Sequence, residues 1–206
     1  MILSSLRRID SEHVTLLFED GSELPTTLGI VTELRLFAGK SLEEAQLNLI
    51  REKTAAASAR ERGLALLSSR PHSQKELRRK LLQKGIDPAS AETALSWLAD
   101  HGYLDDARYA AQVVRHYAAK GYGQQRITAE LLRRGISREL WDEAFSEMPD
   151  TGSAVDRFLR SHLKNPEDPN EVRKLAAALQ RRGFGWDEIR SGIERAKHPD
   201  EYDYGE

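Results

Sequence analysis

Apolar residues recur eight and four positions before each of three glycines: Leu77 and Leu81 before Gly85, Ile127 and Leu131 before Gly135, Leu175 and Leu179 before Gly183. A further apolar residue follows each glycine, as Ile86, Ile136 and Phe184. Spacings of four and eight keep side chains on one face of an α-helix, and a glycine just past the last turn predicts a stop in the left-handed conformation. The glycines stand 50 and 48 residues apart. Three helices of about a dozen residues with short turns fill such a period, so the pattern predicts tandem three-helix repeats stacked into an extended array.

Helix-start signals support the count. Ser73 with Glu76, and earlier Ser41 with Glu44, have capping-box spacing. Asp87-Pro88 opens a helix over 89–101 that Gly102 ends, and Asp105 or Asp106 caps the next, over 107–120. Gly121 and Gly123 mark a turn, Ser137 caps 138–148, and Asp168-Pro169-Asn170-Glu171 repeats the capping logic. The apolar faces hold Leu95, Trp97 and Leu98 in the first repeat. Tyr109, Val113, Val114, Tyr117, Leu140, Trp141, Ala144 and Phe145 follow in the second, then Val155, Phe158, Leu159, Ile189 and Ile193 in the third. Aromatic residues at this spacing are assigned to core.

The first forty residues differ. The run Val14–Phe18 followed by Asp20-Gly21 signals a hairpin, residues 2–9 supply a further strand, and Gly29–Leu36 fits either a strand or a short helix. The expected organisation is an N-terminal β module and linker helix (1–59), three repeats (60–101, 102–148, 149–198) and an acidic tail (199–206). The fold class is mainly α with a small β-containing module.

Composition narrows the chemistry. Hydrophobic residues make up 39% and charged residues 31%, with a mean hydropathy of -0.59. That balance suits thin helical layers with much of each helix in water. The chain has no cysteine, which excludes disulfides and thiolate chemistry. Charges interrupt every apolar stretch before membrane length, so a cytoplasmic protein without membrane contact is expected. The net charge of -2 is unevenly spread: residues 1–59 carry -3, residues 60–148 carry +3 and residues 149–206 carry -2. A mildly basic middle is compatible with an anionic partner.

The histidines at 13, 72, 101, 116, 162 and 198 have no metal-ligand spacing, and no phosphate-binding loop or nucleophile elbow is present. Asp105-Asp106 reads as a helix cap in preference to an acid–base pair. No enzyme activity and no cofactor are expected. The cations near the three glycines carry two readings. Lys84, Arg133, Arg134, Arg181 and Arg182 lie in last helical turns, where positive charge offsets the exposed carbonyls. Their recurrence, with Lys75, Arg78, Arg79 and Arg126, equally suits a stripe that contacts phosphates or an acidic protein surface.

The order and spacing of Ser73–Leu77, Lys84-Gly85, Gly102–Ala110, Gly121–Ile127 and Glu130–Ile136 resemble the RecX family over residues 60–148, with Arg181–Phe184 as a looser anchor for the third repeat. The resemblance implies a modular, curved array of three three-helix units. It implies binding in the groove of a RecA filament on single-stranded DNA, restraining filament growth, strand exchange, ATP hydrolysis and coprotease activity. It names the RecA filament as partner; single- or double-stranded DNA is a further candidate contact, and a monomer is expected. A direct DNA-binding helical module is the competing reading, although no helix carries the dense basic face of a strong duplex reader.

Overall fold

The computed structural model describes residues 1–146, 148 and 150–198. The acidic tail 199–206 and Pro149 lie outside the described residues. Three strands open the chain, β1 (Leu3–Arg8), β2 (His13–Phe18) and β3 (Glu23–Thr27), forming an antiparallel meander in that order. Leu3 pairs with Phe18 and Leu16 with Leu24. The turn at Asp20-Gly21 forms as expected, with Gly21 at φ 82°. The ambiguous segment is a short helix, α1 (Leu28–Glu33), capped by the Thr27 side chain.

The remaining described residues are mainly helical: α2 (Glu44–Ser69), α3 (Gln74–Gln83), α4 (Pro88–Asp100), α5 (Asp106–Ala119), α6 (Gln124–Arg133), α7 (Trp141–Ser146), α8 (Thr151–His162), α9 (Pro169–Arg181) and α10 (Trp186–Lys197). A 3-10 turn, Arg138–Leu140, precedes α7. Two start signals are displaced from their sequence reading. Ser41 forms a β-bridge with Ile2, and the cap of α2 is Glu43, whose backbone N–H donates to Gln46 Oε1 at 3.0 Å. Ser137 opens the 3-10 turn with no side-chain capping bond.

The chain divides into two compact units, Met1–His72 with Glu76–Leu104, and Ser73–Lys75 with Asp105–Glu206. In the first, Leu3, Leu16, Phe18, Ile30, Leu47 and Ile50 join the sheet to α2, and a Thr26–Thr54 hydroxyl bond of 2.8 Å ties the same surfaces. Helix α2 runs on without a break into the first repeat. There, Gly63 lets Leu98 of α4 approach where a Cβ would lie 2.7 Å from its Cδ1. Leu77, Leu81, Leu95 and Leu98 complete that core. In the second unit, Tyr109, Val113, Ile127 and Leu131 form one core, and Val155, Leu159, Leu179, Phe184 and Ile189 another. The apolar positions that defined the glycine register are buried, except Ile86, which is partly buried against the first-repeat core.

Candidate interaction surface

The three register glycines have φ of 81°, 73° and 88° at 85, 135 and 183, as a left-handed helix stop requires. Two of them also make joints with segments distant along the chain. At Gly135 the preceding carbonyl, that of Arg134, accepts from the Ser73 hydroxyl, and the Lys75 stem lies against the glycine. The Gln74 amide donates to Asp106 Oδ1 at 2.8 Å, while Asp105 caps α5 itself by accepting from Arg108 N. The adjacent carboxylates thus serve two different helices. Burial pushes the Asp106 carboxyl up, against the lowering bond from Gln74.

The joint at Gly183 is tighter. Gly123 N–H donates to Arg182 O at 2.9 Å and Gln125 N–H to Gly183 O at 3.0 Å. The cap and first-turn amides of α6, which have no acceptor within their own helix, meet the carbonyls of the cap residue and the glycine that follow α9. A Cβ on Gly183 would fall 2.3 Å from Arg126 N, and one on Gly123 2.3 Å from Gly183 O. A Cβ on Gly85 would meet nothing within 4 Å, and the turn there receives only the Arg62 guanidinium, which donates to Lys84 O at 3.3 Å.

These joints and the local ion pairs sort the nine candidate cations. Arg134 is turned inward: its side chain is 20% exposed, donates to the Tyr109 hydroxyl, stacks 5.6 Å from that ring, and lies 3.6 Å from Glu130 Oε2. Arg133 is 66% exposed, yet its guanidinium holds the same buried carboxylate at 2.7 Å. That bond keeps the Glu130 carboxyl below the usual carboxylate range. Arg182 lies 4.9 Å from the centre of the Phe158 ring and 3.5 Å from Gly121 O, within the joint. Arg78 pairs with Glu92 at the surface. Lys75, Arg79, Lys84, Arg126 and Arg181 are exposed, and among the described residues none has a carboxylate partner within 4 Å. The sequence could not separate these five from the others. Arg133 and Arg134 look alike in a last turn, and only the burial of Glu130 distinguishes their tasks.

Comparison with known proteins gives this arrangement a lineage. The first, second and third three-helix domains of RecX match residues 59–98, 105–144 and 153–193. The chain belongs to the RecX family. The Regulatory protein RecX of Xanthomonas axonopodis pv. citri (strain 306) is 42% identical over 134 residues, covering 64% of this chain and 83% of its own. That of Vibrio campbellii (strain ATCC BAA-1116) is 37% identical over 135 residues, covering 64% and 87%. A crystal structure of regulatory protein RecX superimposes with a TM-score of 0.75 at 21% identity, over 92% of this chain and 97% of that one. RecX from Lactobacillus salivarius does so at 0.62 and 20%, over 70% and 97%. At those identities the structures establish the fold alone. The residues preceding 59, with the β-sheet and most of α2, lie outside the three matched RecX domains. Among the described residues no helix is long and apolar enough to cross a membrane.

Proposed function

We propose that this chain regulates the RecA recombinase by binding the RecA filament on single-stranded DNA and restraining its ATP hydrolysis, strand exchange and coprotease activity. The observation that carries this reading is the set of exposed cations without carboxylate partners, Lys75, Arg79, Lys84, Arg126 and Arg181, on the second helix or its following turn in all three repeats of a RecX-family chain. Each is available to a phosphate or to a carboxylate of a filament subunit. Arg133, Arg134, Arg78 and Arg182 have a reduced part in that contact, since partners within the chain already hold them.

Regulation then needs no reacting group. Repeats linked in one chain make the second and third contacts intramolecular, so modest individual contacts add up to firm binding. The test is RecA-driven ATP hydrolysis on single-stranded DNA, titrated with the wild-type chain and with the triple variant Lys75→Glu, Arg126→Glu, Arg181→Glu. Inhibition by the wild type, and at least about tenfold more variant for the same inhibition, is the expected result. Equal potency of a folded variant would remove these residues from the contact.

A further inference from the structure

The first repeat carries a stack of rings that its core does not account for. Trp97, near the end of α4, lies against its own core and stacks on His101 with centroids 4.0 Å apart and planes at 24°. On Trp97 also stacks Tyr103, at 5.9 Å and 17°. The backbone fixes this set. His101 Nδ1–H donates to Trp97 O at 2.8 Å, which leaves Nε2 available. Gly102, at φ 73°, reverses the chain, and Tyr103 N–H donates to Leu98 O at 2.8 Å. Tyr103 is nonetheless 53% exposed. Arg60 of α2 places its guanidinium carbon 5.3 Å from the centre of the Trp97 ring, and no described carboxylate lies within 4 Å of it.

The third repeat contains a related group that shows what such a stack needs when it is purely structural. Phe158 stacks on His162 at 4.3 Å, His162 Nδ1 bonds Phe158 O at 2.8 Å, and Arg182 lies over Phe158. There the arginine also reaches a backbone carbonyl of the joint. The group closes the end of α8 with one aromatic ring and one histidine. The first-repeat version adds a third, exposed ring and an arginine with no such carbonyl bond.

We infer that the His101–Trp97–Tyr103 stack, with Arg60, is a stacking site for an unpaired nucleobase of single-stranded nucleic acid. Near-parallel rings are extended by a flat π-face, and every base offers one. A base inside a duplex has both faces covered by its neighbours, so the site selects unpaired strands. A guanidinium lying on an aromatic ring keeps its in-plane N–H donors for the adjacent phosphate. The rings are fixed before binding, so little ordering entropy opposes it.

The test is fluorescence anisotropy of a short labelled oligothymidylate, and of a duplex of equal length, titrated with the full chain and three variants. Tyr103→Leu keeps an apolar side chain but loses the plane, Tyr103→Ala removes both, and Tyr103→Phe keeps the plane. The expected result is single-strand binding weakened about tenfold in Tyr103→Leu and Tyr103→Ala and retained in Tyr103→Phe, with duplex binding unaffected. Absence of single-strand binding by the wild-type chain, a Tyr103→Leu variant that binds as tightly as the original, or an equal loss on duplex would overturn the inference. The assay contains no recombinase, so its failure and a failure of filament binding are separate results.

Discussion

Glu130 is buried on a helix face that otherwise carries Ile127 and Leu131, and it is kept there by two arginines. Its replacement by alanine leaves the half-buried Arg134 without its countercharge, at a cost of about 3 kcal/mol. Arg133→Ala removes an exposed partner and costs less than about 1 kcal/mol. Urea unfolding of the two variants measures the contrast, and similar losses would contradict the assignment. His72 gives a pH test. It is buried, its Nδ1 bonds Arg70 O, and burial holds its pKa below the usual histidine value. The folded chain therefore keeps His72 neutral where the unfolded chain takes up a proton. Its contribution is complete above about pH 6.5 and is lost as pH falls from there through the depressed folded value. His13, raised by Asp10, acts in the opposite sense but is exposed. Melting temperature should fall more steeply below pH 6.5 in the wild type than in His72→Gln; parallel curves would exclude His72 as the source.

At the scale of elements, the helices were legible because their apolar positions and glycine stops repeat, and a repeated pattern outweighs any single propensity. Asp87, Asp105 and Asp168 cap the helices expected of them. The displaced start at Ser41 has a cause outside its own segment. Ser41 is drawn into a bridge with Ile2, a long-range pairing that spacing within a segment does not reveal. The second role of the glycines was hidden for the same reason: a left-handed stop reads identically whether its surroundings are empty or occupied. Substitution separates the two cases. Gly85→Ala meets open space and incurs only the conformational penalty, about 1–2 kcal/mol. Gly183→Ala incurs that penalty and also drives its Cβ into the backbone of α6, so its loss of stability should be clearly larger. Equal losses in chemical denaturation would mean that the joint yields without cost.

At the scale of the molecule, the second and third repeats are not independent modules. Helix α6 obtains acceptors for its cap amide and one first-turn amide from the turn after α9, so removing the residues after 150 should lower the melting temperature of what remains. Gly123→Ser reverses sign between the two contexts. In the full chain its side chain collides with Gly183 O and destabilises. In the shortened chain the space is open, and a serine in place of the glycine cap of α6 stabilises slightly, by roughly 0.3 kcal/mol. The same sign in both would contradict the joint. Three repeats and an N-terminal sheet were readable from the sequence, but the sorting of the cations into exposed and internally held was not, because it depends on partners distant along the chain. The most direct measurement of the central claim is the affinity of the full chain for a RecA filament on single-stranded DNA beside its affinity for the same DNA bare, each at low and high salt. The account predicts filament binding at least about tenfold tighter than bare-strand binding at each salt concentration. Equal affinity with and without RecA, with a steep salt dependence in both, would contradict it and identify the chain as a DNA-binding module.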